Sequence, residues 1–244
     1  MLKPAFERGS ILKQNMLESL RDYPRKALNL LYSSLGNGIV NGFDVAVIDD
    51  GKFSISPGIV KINGLLLFSD EQKIVEQLDG ENYAYIEVKS SNTVDGNMYI
   101  VEIKQYTSQQ LDEIELFRYT KNAKISMLQN CNELFAPPIN RVNKLFSKYS
   151  YIGGESLCQE YFKLYAKEVL NASDAKIKDI AFAYECLNGI NDVDLIKSYF
   201  DNDGTNLCVL EAMKKRLAEI NMREGESTQI TTEKPKKKVI ISVS

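Results

Sequence analysis

The chain has 244 residues, of which 44% are hydrophobic and 26% charged, and its net charge is −3. A chain of this length can bury about 70% of its extended surface, which is enough for a core without disulfides or structural metals. The nearly balanced charge is not that of a nucleic-acid binder. Histidine is absent, which excludes Ser-His-Asp and Cys-His catalysis and histidine-based zinc sites. The composition therefore favours a protein that is not an enzyme and needs no cofactor.

The cysteine pattern indicates structural thiols. The four cysteines are Cys131, Cys158, Cys186 and Cys208, and no two of them form a C-x-x-C pair. The last three fall in apolar helical patterns, where free cysteine packs as a small hydrophobic residue. We therefore expect reduced, buried thiols and no bound metal. The absence of an apolar signal segment and of an 18-residue apolar run predicts a protein made and kept in the cytoplasm, with no direct membrane insertion.

Residues 1–36 have a helical period and predict an N-terminal helical arm. Apolar stripes lie on both sides of Pro24, and proline suits the first turn of a new helix. Ser10 is a candidate N-cap and Gly36 a candidate helix stop. We therefore expect one helix, a bend at Pro24 and a second helix.

From Gly36 onward, Asn-Gly and Asp-Gly pairs separate short alternating segments, as in tight β-hairpins. The predicted strands are Phe43–Ile48, Phe53–Ser56, Ile59–Ile62, Leu65–Phe68, Tyr83–Lys89, Met98–Tyr106 and Glu115–Tyr119. They predict a small antiparallel β-sandwich or meander over residues 37–136. Within it, Gly58 and Gly64 are expected at positions that a side chain would not tolerate.

After Pro137-Pro138 the helical period returns and lasts to about residue 222, which predicts a bundle of four or five short helices over residues 137–222. Ser173, Asp192 and Asn206 are candidate caps. The clearest apolar stripe consists of Leu207, Leu210, Met213, Leu217 and Ile220. Such a stripe either packs inside its own domain or seals against other copies of the chain. The whole chain is thus predicted to be α+β.

Residues 223–244 are predicted to be a polar linker followed by a terminal strand. The linker carries a run of lysines, and the β-branched run behind it contains the candidate interaction residues Val239, Ile240, Ile241 and Val243. One interpretation is a docking strand that adds to the sheet of a neighbouring protein. The other is a segment that folds back onto the edge of the chain's own β-domain.

Two acidic patterns are weak candidates for chemistry. The Asp201-Asn202-Asp203-Gly204 segment resembles the start of a calcium loop, but it places Tyr199 and Leu210 where acidic ligands are required, so an ordinary turn is expected. A carboxylate pair for hydrolysis would have to come from the acidic residues of the β region, namely Asp44, Asp49, Asp50 and Glu87. Their spacing is that of solvated turns and strand faces.

A family resemblance covers about a quarter of the chain. Its motifs are Phe6-Glu7-Arg8-Gly9, Leu20-Arg21-Asp22-Tyr23-Pro24, Gly38-Ile39-Val40-Asn41-Gly42-Phe43-Asp44-Val45, Ile55-Ser56-Pro57-Gly58-Ile59-Val60 and Asn63-Gly64. This order resembles baseplate proteins of phage tails and related particles. They include proteins encoded beside contractile tail-like particles of Gram-positive bacteria, R-type bacteriocins among them. They also include the N-terminal shell domain of the trimeric baseplate adaptor of type VI secretion.

The resemblance implies a structural baseplate component of a contractile tail-like particle, which acts in docking and assembly. Its implied partners are other baseplate or tail proteins and further copies of itself, with a trimer implied by the adaptor. It would be cytoplasmic during assembly and part of the particle when mature. The alternative is a histidine-free, carboxylate-dependent hydrolase or a small regulatory binding protein, which a monomer with a well-formed acidic pocket would favour.

Overall fold

The computed structural model describes residues 13–48, 51–93, 96–110, 113–124, 141–190, 192–202 and 204–229. Within these ranges the fold is α+β, as predicted. In chain order the elements are α1 (Gln14–Leu31), β1 (Gly38–Gly42), β2 (Val45–Ile48), β3 (Lys52–Ile55), β4 (Gly58–Ile62), β5 (Leu65–Ser69), β6 (Lys73–Glu76), β7 (Glu81–Thr93), β8 (Gly96–Tyr106), β9 (Ile114–Thr120), β10 (Tyr149–Tyr151), β11 (Gly154–Ser156), α2 (Gln159–Asn171), α3 (Ile177–Asn188), α4 (Val193–Phe200) and α5 (Asn206–Gln229).

The N-terminal arm is one helix rather than two, so the prediction of separate helices on either side of Pro24 is wrong. The α1 helix runs without interruption through Pro24. Proline leaves the carbonyl four residues earlier without its donor. No described residue of α1 is buried, so water can hydrate that carbonyl at low cost. Ser10 lies outside the described residues. Gly36 does not end the helix but packs against Gly154, whose carbonyl oxygen would lie 2.3 Å from an added Cβ.

The strands form three sheets in the described part of the chain. Their orders are β11-β10-β1-β4-β5, β2-β3-β6 and β8-β7-β9. All neighbouring strands are antiparallel except β1 and β10, which pair in parallel. Each of the seven predicted strands overlaps one of β2–β5 or β7–β9, whereas β1, β6, β10 and β11 extend beyond that set.

Two glycines of the β region occupy the restricted positions that the sequence predicts. Gly64 has a φ of +79°, which lies in the left-handed region and suits a tight turn between β4 and β5. A Cβ added to Gly58 would lie 2.3 Å from the ring of Phe43, which is fully buried. The register of these strands is thus fixed by backbone shape at one glycine and by packing at the other.

Two hydrophobic cores lie side by side. One is built from the β-strands between β1 and β9, and the other from α2–α5 together with the β10–β11 hairpin. Tyr149 of β10 packs against both cores. The hairpin falls in the region predicted to be helical, and through β10 it extends the sheet of β1. The helices are therefore joined to the β region by a shared sheet.

The helical region contains four described helices, and their ends differ in part from the predicted caps. Asp192 is the N-cap of α4, and its Oδ1 accepts from the backbone N–H of Asp194 at 2.8 Å, as predicted. Ser173 does not cap α3, whose N-cap is Lys176. Asn206 begins α5, but its side chain donates to the carbonyl oxygens of Leu145 and Ser147, which lie before β10.

The α5 helix continues through residues 223–229, which were predicted to be linker. Once a helix is nucleated, each further residue adds a hydrogen bond at little cost. The buried stripe of α5 therefore stabilises a helix that extends several residues beyond the end of its apolar pattern.

A buried ion pair fixes α5 against α3. Both carboxylate oxygens of Asp179 accept from Arg216 at 2.8 Å, and Oδ1 also accepts from the Tyr199 hydroxyl at 2.7 Å. Burial raises the pKa of Asp179, but the hydrogen bonds from Tyr199 and Arg216 outweigh it and hold the pKa below its ordinary value. Asp179 is thus a charged, fully partnered group that specifies how these two helices pack.

Candidate interaction surface

The predicted stripe of α5 lies mostly inside the chain's own core. Leu210, Met213, Leu217 and Ile220 are buried among the helices, whereas Leu207 is 51% exposed. Of these five residues, Leu207 alone retains a large exposed surface for contact with another molecule. Val239, Ile240, Ile241 and Val243 lie outside the described residues, and their role as a docking strand stays a prediction.

The most extensive exposed apolar surface that we find on a helix belongs to α1. At about 100° per residue, its apolar side chains fill one continuous arc of about 160°, and its polar side chains fill the rest. The arc consists of Met16, Leu17, Leu20, Tyr23, Pro24, Ala27, Leu28, Leu30 and Leu31. None of them is buried, and Leu30 and Leu31 are about three-quarters exposed. An apolar helix face of this size, left open to water, is typical of a surface that binds another protein.

Charged residues border this arc. Arg21 follows it on one side; on the other side Ser19 comes first and then Lys26, while Arg25 lies on the polar side of the helix. Arg21 pairs with Asp22 at 2.7 Å between Nε and Oδ1. The three cations outnumber the two acidic residues of α1, although the whole chain carries a net charge of −3. A complementary partner surface is therefore an apolar groove with an acidic rim.

The C-terminal end of α1 is held by a buried lysine. Lys61 of β4 is only 9% exposed, and its ammonium group donates to the carbonyl oxygens of Tyr32, Ser33 and Leu35 at 2.8, 3.1 and 2.6 Å. Carbonyls at the end of a helix lack partners within the helix and carry its negative dipole end. Lys61 satisfies them with a cation, which fixes the base of α1 on the outer face of the sheet.

Backbone contacts with the β10–β11 hairpin complete this base. The N–H of Gly36 donates to the carbonyl of Tyr151 at 2.9 Å, and the N–H of Gly153 donates to the carbonyl of Ser34 at 3.2 Å. The hydroxyl of Ser150 donates to the carbonyl of Gly36 at 2.6 Å. The helix is therefore attached at one end, while most of its apolar arc is not covered by the described chain.

A groove of about 530 Å³ lies where the helical core meets the β8–β9 connection. Its walls come from the β10–β11 turn, α4 and the first turn of α5, and Leu207 lies among the lining residues. The charged residues in it include Lys148, Lys197, Glu113 and Glu155, and Lys148 pairs with Glu155 at 3.1 Å. With Glu115 the groove has three glutamates and two lysines, so its charge is mixed, and it is not the acidic pocket that the hydrolase interpretation requires.

Of the four candidate carboxylates, Asp44 and Glu87 belong to the described part of the chain. Glu87 on β7 accepts from the ammonium of Lys104 at 2.7 Å and from the hydroxyl of Tyr106. These hydrogen bonds lower the pKa of Glu87, which makes it a poor general acid. Asp44 is exposed, and Asp49 and Asp50 lie outside the described residues.

The described thiols are placed for packing rather than chemistry. Cys158, Cys186 and Cys208 are free, and the first two are buried. Burial raises the pKa of both buried thiols to about 12, so very little reactive thiolate forms at neutral pH. Within the described ranges, no group of three or more acidic or cysteine side chains could hold a metal ion. Cys131 lies outside those ranges.

Asp201, Asn202 and Gly204 lie in the connection between α4 and α5, and Asp203 lies outside the described residues. Asp201 has a φ of +53° and ends α4, and Oδ1 of Asn202 accepts from the N–H of Gly204 at 2.9 Å. This is the ordinary turn that the failed calcium-loop spacing predicts. No helix in the described part of the chain is long and apolar enough to cross a membrane.

No protein-family model matches this chain, and no curated protein matches it. Among solved structures, it aligns with a chain of the type VI secretion system TssK-TssF-TssG baseplate subcomplex at a TM-score of 0.42 and 6% identity, covering 89% of this chain and 99% of that one. It also aligns with the crystal structure of TssK at a TM-score of 0.31 and 8% identity, covering 91% of this chain and 56% of that one. TM-scores this low describe a partial likeness and carry no functional argument.

Proposed function

We propose that this protein is a structural baseplate component of a contractile tail-like particle, and that it docks onto another baseplate protein through α1. The observation that carries the proposal is an amphipathic helix that is fixed at its C-terminal end and whose apolar arc is left largely open by the described part of the chain. The resemblance of residues 6–68 to baseplate proteins supports the kind of assembly, and the geometry of α1 supports the mode of attachment.

The partner surface follows from the chemistry of the helix. A helix-in-groove contact uses apolar anchors at i, i+3, i+4 and i+7, and Tyr23, Ala27 and Leu30 on α1 have this spacing. Arg21 and Lys26 border the anchors and would meet acidic side chains at the rim of the groove. Lys61 already fixes the base of α1. Binding through α1 therefore costs less conformational entropy than binding through a free tail, which favours affinity.

The test compares two faces of the same helix. Leu20→Asp places a charge in the apolar arc, and Asn29→Asp places the same charge on the polar side. Neither residue is buried, so both variants are expected to keep the melting temperature of the wild type. In cells that produce the particle, Leu20→Asp should be lost from sedimented particles that contain sheath, tube and spike proteins, whereas Asn29→Asp should be retained.

Two results would overturn the proposal. The first is that Leu20→Asp enters particles as well as Asn29→Asp does. The second concerns membranes, because an amphipathic helix with basic borders can also lie on a lipid surface. If wild-type protein binds vesicles of anionic lipid, Leu20→Asp abolishes that binding, and particles assemble normally with this variant, then α1 is a membrane-surface helix.

A further inference from the structure

The β8 strand is the long outer strand of its sheet, and no described strand other than β7 pairs with it, although β5 passes close to it. It pairs with β7 along its whole length, from Gly96 to Tyr106, and its sheet ends there. Ile100 on this strand is 47% exposed. An edge strand presents a row of backbone N–H and C=O groups that another strand can pair with.

Glutamate and lysine side chains form two ion pairs between β7 and β8 on the outer face of this sheet. Glu102 accepts from the ammonium of Lys89 at 2.7 Å, and Glu87 accepts from that of Lys104 at the same distance. Glu87 and Glu102 lie directly opposite each other on β7 and β8, and like charges at such positions repel. Each carboxylate is therefore compensated by a lysine on its diagonal, and further positive charge beside Glu102 would be favourable.

We propose that β8 pairs with β8 of a second copy of this chain, antiparallel and about a two-fold axis at Ile103. In this register Glu102 lies opposite Lys104 of the second copy, and by symmetry Lys104 lies opposite Glu102. Ile100 then lies opposite Tyr106 of the second copy, which covers an exposed apolar side chain. The same surface thus serves both copies, as a two-fold contact requires.

The charges select this register over its neighbours. In an antiparallel pair, two residues directly opposite each other point to the same face of the sheet, and side chains alternate between faces along a strand. A two-fold axis normal to the sheet must therefore lie between one residue and the same residue of the second copy. An axis at Glu102 would oppose two glutamates, and an axis at Lys104 would oppose two lysines. The axis at Ile103 replaces both repulsions with two ion pairs. Even-numbered residues then lie opposite even-numbered ones, and odd-numbered opposite odd-numbered. The backbone N–H and C=O groups of β8 that point away from β7 therefore meet the same groups of the second copy.

A contact along one strand is small. Stable complexes bury about 1,200–2,000 Å² in total, and a single edge pairing falls at or below the lower end of that range. The contact is therefore expected to form at high protein concentration or within an assembly and to weaken as salt screens the two ion pairs. It does not use α1 and so stands independently of the proposed docking site.

Charge reversal gives a test in which two defective variants restore each other. Glu102→Lys opposes two lysines across the axis, and Lys104→Glu opposes two glutamates, so each variant alone should raise the dimer Kd by about tenfold or more. In an equimolar mixture, Lys at 102 of one variant meets Glu at 104 of the other, and the heterodimer regains both ion pairs. Sedimentation equilibrium up to millimolar concentration measures each association.

A matched control is Lys52→Glu, which makes the same charge change at an exposed position on β3 and should leave the dimer Kd unchanged. Circular dichroism melts establish that each variant is folded. The proposal is contradicted if the wild type is monomeric at millimolar concentration. It is also contradicted if the single variants associate like the wild type, or if their mixture associates no better than either alone.

Discussion

Replacement of Lys61 by methionine tests how α1 is fixed to the sheet. Methionine keeps most of the side-chain volume but donates no hydrogen bond, so the carbonyls of Tyr32, Ser33 and Leu35 lose a shared cationic donor. Bonds to a charged group contribute about 1.5–3 kcal/mol each, which sets an upper limit of about 9 kcal/mol for three. Two effects reduce this cost. Removing a buried ammonium removes its desolvation penalty of several kcal/mol, and water can hydrate the carbonyls when the helix base opens. The net cost is therefore about 2–4 kcal/mol.

This cost is local to the base of the helix, because α1 has no buried side chain that holds it elsewhere. Opening of the base should become roughly 30- to 700-fold more frequent. Amide hydrogen exchange measures it at the N–H groups of Gly36 and Gly153, whose acceptors lie across the base. Both amides should exchange faster by that factor, while the amides of the strand cores change little.

The control is Lys73→Met, which removes a lysine from β6 in the same β-domain. Lys61→Arg, which keeps a cation with several donors, should retain most of the protection. Unchanged exchange at Gly36 and Gly153 in folded Lys61→Met would refute the assignment of Lys61 as the anchor.

Four further outcomes are expected. Gly64→Val should lower stability by about 1 kcal/mol or more, because valine disfavours a positive φ, and an unchanged thermal melt would contradict the turn. Cys158, with its pKa raised to about 12 by burial, should react with a thiol reagent only on unfolding, whereas partly exposed Cys208 reacts in the native protein; equal rates would contradict this. The lowered pKa of Asp179 makes its stabilisation complete above the unfolded value of about 4 and lost as pH falls through the folded value, so Asp179→Asn should flatten the acid side of a stability profile. Leu217→Asp should destabilise the helical core by about 3 kcal/mol or more, since it buries a charge, and a fully stable monomer would contradict the burial.

The local chemistry of the β region was predictable because each signal acts within a few residues. The Asn63-Gly64 pair required a left-handed backbone, and alternation marked the longer strands. The three-residue strands β10 and β11 carry no such signal. Their place is decided by pairing with β1, more than 100 residues earlier, which no local pattern reports.

The two apolar stripes show what periodicity leaves open. The patterns of α1 and α5 both predict an amphipathic helix, yet Met213 on α5 is fully buried while Leu31 on α1 is 74% exposed. Periodicity identifies the apolar face of a helix but not what covers that face. Lys61 was missed for a related reason, since a lysine on a strand is normally solvated. Its acceptors are carbonyls of a helix end 26–29 residues earlier.

Amide exchange of α1 in the free protein and in purified particles tests the central claim most directly. Because no side chain of α1 is buried among the described residues, the helix should exchange quickly in the free protein. If α1 docks into a groove of a baseplate partner, the amides of Gln14–Leu31 should become strongly protected in the particle, while those of the buried strands change little. Equal exchange of α1 in both states, or particles that contain no copy of this chain, would contradict the account.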